Sequence, residues 1–342
     1  MSKKHPIQLS DHFTYARLFR FVLPSIVMMV FTSIYGVVDG VFVSNFAGKT
    51  AFASINLIMP FLIILGAMGF MLGTGGTALV SRVLGEGDKE HANKYFSMIT
   101  LFGILLGVIL TVVGVLAMRP MAILLGATEA MVDDCVLYGR IVISFLTSFM
   151  LQNMFQSFLI AAERPKFGLL ITLAAGVTNM VLDALFVGVF HWGVAGAAIA
   201  TVLSQAISAA MCFIKLLRSS GPERVVLKRI RFDFSMLRQI AGQGIPSGIQ
   251  NSIISIANVV VQSNINTFGS NAMAGCGAYA KVEGFVFLPI TAFTAAITTF
   301  IGQNLGAKEH ERAKRGARFG IISALLLAEL IGIAMYLTMP QL

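Results

Sequence analysis

Apolar residues in this chain come in long blocks separated by short polar segments. Nine blocks are nearly free of charge: about 18–46, 52–81, 95–118, 135–161, 167–190, 193–217, 236–268, 275–304 and 316–339. A helix crossing the hydrocarbon core of a bilayer needs about 20 such residues. In lipid every backbone polar group must be satisfied within the protein, which leaves helices and closed barrels. These blocks are too long for tilted barrel strands. The pattern therefore predicts an all-α polytopic membrane protein with about nine transmembrane helices. Composition agrees, with 56% hydrophobic and 12% charged residues and a mean hydropathy of +0.83.

Charge placement adds an orientation. The net charge is +9, which by itself would suit nucleic acid. With the N-terminus in the cytoplasm, however, 21 of the 25 basic residues fall in inside segments, and only Lys49 and Arg119 fall outside. This is the positive-inside pattern, so the basic residues serve topology and no nucleic-acid partner is expected. The first block is too long for a signal-peptide core and no small-residue cleavage site follows it, so it is expected to remain as an anchor. The expected setting is the inner (plasma) membrane. Cys135, Cys212 and Cys276 show no pairing or metal spacing, and no histidine falls within a span. There is no nucleophile paired with a base, no metalloprotease motif and no nucleotide fingerprint, so neither an enzyme nor a bound cofactor is predicted.

The chain resembles itself. Pro24-Ser25 recurs as Pro246-Ser247 at an offset of 222. Leu84-Gly85 with the following Asp88, Glu90, Ala92 and Lys94 recurs as Leu305-Gly306 with Glu309, Glu311, Ala313 and Arg315 at an offset of 221. Matching offsets at both ends of a two-span unit imply an internal duplication. Six spans per copy place both copies in the same orientation, related by an axis along the membrane normal. The predicted division is a first unit over 1–218, a basic cytoplasmic connector over 219–235, and a second unit over 236–342. The second copy holds three spans. It is expected either to be truncated relative to a twelve-helix parent or to complete itself by dimerisation.

Two acids interrupt the apolar blocks of the first unit, Asp39 and Asp183. A carboxylate at membrane depth costs several kcal/mol unless neutralised or paired. At 1.5 Å per residue both sit roughly 10–12 Å inside the outer end of their spans. Tyr35 lies one turn from Asp39, and Asn179 one turn from Asp183, on the same helical faces. Two carboxylates with an amide and a phenol can hold a proton or a small hard cation through oxygen. Glu283, with Lys281 nearby, reads equally as a binder of a cationic substrate or as an interfacial ion pair, and Glu329 reads as structural. Ser144, Ser148, Gln152 and Gln156 form one polar stripe; Asn251, Ser255, Asn258, Gln262 and Asn266 form another. Each stripe either lines a wet cavity or joins helices by hydrogen bonds. Gly66, Gly69, Gly73 and Gly76 form a small-residue face suited to close helix packing.

The order Pro24, Asp39, Gly73-Thr-Gly-Gly-Thr-Ala-Leu-Val-Ser-Arg-Val-Leu-Gly85, Glu163-Arg-Pro165 and Asn179-x-x-x-Asp183 resembles the MATE (multidrug and toxic compound extrusion) family. The echo Gly302-Gln-Asn-Leu-Gly306 fits as well. The resemblance implies two six-helix lobes around a central cavity, and export of mostly cationic, amphipathic, drug-like molecules in exchange for H⁺ or Na⁺. It implies a cation site at Asp39, Asn179 and Asp183, the one place where a metal ion, Na⁺, is expected. It implies a hinge at Pro24 and, more loosely, a substrate-cavity role for Glu283. Gln152, Gln156, Asn258 and Gln262 are the other expected cavity residues. The family has twelve helices, three more than this chain. A full-length member is implied to be a monomer, and a truncated one to dimerise. The rival readings are a lipid-linked precursor flippase and a truncated membrane protein that does not transport.

Overall fold

The computed structural model describes the backbone of residues 15–218, 234–266 and 270–338; most side chains between 251 and 286, and a few elsewhere, lie outside the described residues. The described residues form ten α-helices: α1 (Tyr15–Phe42), α2 (Lys49–Gly85), α3 (Lys89–Leu124), α4 (Glu129–Ser144), α5 (Leu146–Ala161), α6 (Pro165–Asp183), α7 (Gly193–Arg218), α8 (Phe234–Asn266), α9 (Ser270–Gly306) and α10 (His310–Thr338). Among the described residues there is no strand. Helices α1, α2, α3, α6 and α7 are each long and apolar enough to cross a membrane, and α4 with α5 forms a sixth, bent span. Helices α8, α9 and α10 contain 33, 37 and 29 residues, the length of a span at 1.5 Å per residue. For these three, the expected count of nine rests on length and sequence. The chain is an all-α, multi-pass membrane protein.

The block at 135–161, expected as one span, is bent. It breaks at Phe145 (φ −109°, ψ 16°), and the two halves meet at 56°. The cause lies on another helix. The Thr111 hydroxyl of α3 donates to the Ile143 carbonyl at 3.1 Å, and the Ser144 hydroxyl donates to the Arg140 carbonyl at 2.7 Å. A side chain inserted into the helical ladder is a recognised source of a sharp kink. Ser144 is thereby separated from the rest of its polar stripe.

The internal repeat is visible in the backbone. α2 and α9 both have 37 residues, and both ends correspond at an offset of 221. The turns that follow share their hydrogen bonds: Asp88 N–H to Val83 O matches Glu309 N–H to Asn304 O, and Gly87 N–H to Leu84 O matches Lys308 N–H to Leu305 O. The third residue of each turn, counted from the helix-ending glycine as the first, has a left-handed backbone. Gly87 takes it at φ 81°, and Lys308 at φ 61°. Asp88 caps α3, accepting from the His91 amide at 2.9 Å.

The glycine face of α2 packs on α5 as its spacing suggests. A Cβ on Gly69 would lie 2.6 Å from the Met150 Cα, and one on Gly73 3.2 Å from the Met154 Cα. Helix α2 is the hub of the molecule, packing on α3, α4 and α5 on one side and on α8 and α9 on the other. Helix α1 lies between α6 and α9. Residues 219–233, most of the expected connector, lie outside the described residues, and α8 is already helical at 234.

Candidate cation-binding site

Both acids stand where an α-helix gives way to a wider turn. Asp39 is in the last turn of α1, just before a π-helical turn at Val43–Ala47. Asp183 ends α6 and is followed by a π-helical turn at Ala184–Val189. Single π turns within helices are rare and concentrate at functional sites. The two turns contact one another and are closed by i→i+5 bonds, Gly48 N–H to Val43 O at 3.2 Å and Phe190 N–H to Leu185 O at 2.8 Å.

α1 and α6 approach closely enough to bring the acids together because of Gly176. A Cβ there would lie 2.8 Å from Cδ1 of Tyr35. Asp39 and Asp183 lie near enough to each other for their charges to interact. Asp183 is 0% exposed and Asn179 2%, while Asp39 and Tyr35 are half-buried. With both acids ionised neither can donate. Asp39 Oδ1, both Asp183 oxygens and Asn179 Oδ1 are then buried without a donor. Leaving such atoms unsatisfied is expensive. Buried oxygens without donors on two neighbouring carboxyl groups and an amide are chemically able to hold a positive charge, either a proton shared between the acids or a small oxygen-loving cation. Among the described residues no cluster of three or more His, Cys, Asp or Glu is present.

Two flanking residues were not singled out in the sequence. Tyr138 of α4, 1% exposed, lies beside Thr201 of α7 and close enough to both acids to sense their charge. The Thr32 hydroxyl, one turn before Tyr35, donates to the Met28 carbonyl at 2.9 Å. The site is thus enclosed by α1, α4, α6 and α7. At its rim Trp192, the chain's single tryptophan, stacks on Phe186 with ring centroids 4.9 Å apart.

The remaining expected residues are dispersed. Gln156 Nε2 donates to the Thr172 hydroxyl at 3.2 Å, a bond between α5 and α6. Gln152 is buried with Oε1 lacking a donor. A cavity of about 310 Å³ opens between α2, α8 and α9, lined in part by Leu79, Arg82, Gln243, Thr298 and Leu305; neither glutamine lines it. The side chains of Glu283, Asn258 and Gln262 lie outside the described residues, as do those of Asn251, Ser255 and Asn266. Pro24 is buried within a helix that continues through it. It has no N–H to give the ladder. Glu329 is exposed on α10.

Comparison with known proteins places the whole arrangement. The MatE family model matches residues 24–185 and 246–342. The chain is 25% identical over 328 residues to the "Probable multidrug resistance protein YoeA" of Bacillus subtilis, covering 94% of this chain and 71% of that protein. It is 26% identical over 319 residues to a FAD transporter of Shewanella oneidensis, covering 90% and 69%. In structure it is similar to a MOP superfamily transporter from Pyrococcus furiosus, with a TM-score of 0.93 at 23% identity, covering all of this chain and 76% of that one; at that identity the likeness is one of fold. It spans about 70% of the length of the two relatives. With the family model matched over both halves of the repeat, the chain belongs to the MatE family of membrane transporters.

Proposed function

We propose that this protein exports cationic or amphipathic small molecules in exchange for H⁺ or Na⁺, by alternating access, with its N-terminus in the cytoplasm and its helices in the plasma (inner) membrane. The observation that carries the reading is the pair of neighbouring acids, Asp39 and Asp183, whose buried oxygens, with that of Asn179, lack donors. A coupling ion and a substrate each bias a two-state equilibrium through their different affinity for its two forms. In this scheme Asp39, Asp183, Asn179 and Tyr35 receive the ion. The π turns beyond the acids form the outer end of its path, and Pro24 is where α1 bends as the site loads and empties. The likeness to YoeA supports drug-like substrates. The likeness to a FAD transporter favours a second reading, a nucleotide cofactor as cargo.

Proteoliposomes containing the full chain and loaded with a cationic dye or with FAD test the proposal. An imposed gradient of H⁺ alone, or of Na⁺ alone at constant pH, should drive release of one cargo and so identify both ion and substrate class. Release that ignores both gradients would refute coupling.

A further inference from the structure

The two copies of the repeat meet at one end of the molecule through a contact that is reciprocal in the sequence. A Cβ on Gly85, at the end of α2, would collide with the carbonyl oxygen of Gln303 on α9. A Cβ on Gly306, at the end of α9, would collide with the carbonyl oxygen of Arg82 on α2. Gly85 corresponds to Gly306, and Arg82 to Gln303, at the 221 offset of the repeat. Each helix therefore places its terminal glycine against the backbone one turn earlier in the other. Neither obstacle is a flexible side chain, so relief requires the helices to separate. Just inside the crossing, a Cβ on Gly302 would lie 3.0 Å from the Ser81 Cβ, and Ser81 is 0% exposed. Further in, a Cβ on Gly75 would lie 2.7 Å from the Gly244 amide nitrogen of α8. Two hydrogen bonds also join the copies, Gln303 Nε2 to Ala161 O at 3.2 Å and the Tyr95 hydroxyl to Gln239 Oε1 at 3.1 Å.

We propose that the Gly85–Gly306 crossing is a latch that holds this basic end of the two repeats shut, and that its release opens the path from the cytoplasm. The inference rests on the alternating-access reading above for its purpose, but not for its geometry. Because the contact is backbone on backbone, it has no intermediate setting once a methyl group is added. Overpacking a tight contact forces the backbone to shift, so a single alanine should move the population toward the open form.

The test uses the detergent-purified full chain carrying Ser81→Cys and Cys276→Ser. Cys135 and Cys212, both buried, are kept as reporters of general loosening. Labelling by a polar maleimide is followed at each thiol by mass spectrometry. Gly85→Ala and Gly306→Ala should each raise labelling at position 81 about tenfold. Gly242→Ala, whose Cβ would meet nothing within 4 Å, should leave it unchanged. Should either alanine fail to insert, Gly302→Ala, with its milder 3.0 Å contact, should give a smaller rise. Equal labelling in the latch and Gly242 variants would overturn the proposal, as would Cys135 and Cys212 reacting in step with position 81. Labelling requires neither ion nor cargo, so failure of the latch is distinguishable from failure of ion coupling in the liposome assay.

Discussion

Replacing Asp183 with asparagine should make the protein more stable and blind to its coupling ion at the same time. With both acids ionised and no cation between them, Asp39 Oδ1, both Asp183 oxygens and Asn179 Oδ1 are buried without donors. Each unsatisfied buried group costs about 1–3 kcal/mol. An asparagine at 183 removes one charge and offers an N–H to Asp39, so about 2 kcal/mol should be recovered. At roughly 2–4 °C per kcal/mol, that raises the unfolding midpoint by roughly 4–8 °C over ion-free wild type. The wild type should reach similar stability only when loaded, since a ligand at one hundred times its dissociation constant contributes about 2.7 kcal/mol. Thermal unfolding in detergent, with Na⁺ and pH varied separately, reads both effects. A destabilised Asp183→Asn, or one whose midpoint still moves with the ion as wild type does, would refute the reasoning.

Other consequences follow from single contacts. Trp192 stacks on Phe186, within the π turn that follows Asp183, so ion loading should change its emission, and Asp183→Asn should abolish the change; an unaltered titration in the variant would separate the turn from the site. Lys308 occupies a left-handed conformation that the equivalent Gly87 takes freely, and Lys308→Gly should raise stability by about 0.5–1 kcal/mol, seen as a higher unfolding midpoint. The Asp88 carboxyl is held below the usual carboxylate range, first by the His91 amide and then by its side chain. Its contribution is therefore present above the ordinary aspartate range and is lost as pH falls through the lowered value; Asp88→Asn should flatten the acid limb of the stability profile there.

The elements were legible because lipid demands long apolar runs, and those runs are interrupted only by turns and functional groups. Asp39 and Asp183 stood out for the same reason, since an acid in an apolar helix has no cheap explanation. The supporting groups were hidden because their roles are tertiary. Tyr138 is an ordinary aromatic in its own helix, and only the fold brings it beside the acids and Thr201. Gly176 is one glycine among 33 until Tyr35 is seen against it. The break at Phe145 has neither proline nor glycine to announce it, because the cause, Thr111, belongs to α3. The echo of Ser81–Gly85 in Gly302–Gly306 was readable as a repeat; that the two echoes touch was not, because periodicity says nothing about contact between copies. The polar stripe of span four was readable as a stripe, but helix glue and cavity lining share one pattern, and the bond from Gln156 to Thr172 could not be read from it.

Gradient-driven efflux from proteoliposomes of wild type, Asp39→Asn and Asp183→Asn, measured beside cargo counterflow with no ion gradient, tests the central claim most directly. If the paired acids are the coupling site, both variants retain counterflow and lose the gradient-driven component. Full gradient-driven efflux from either variant would contradict the account.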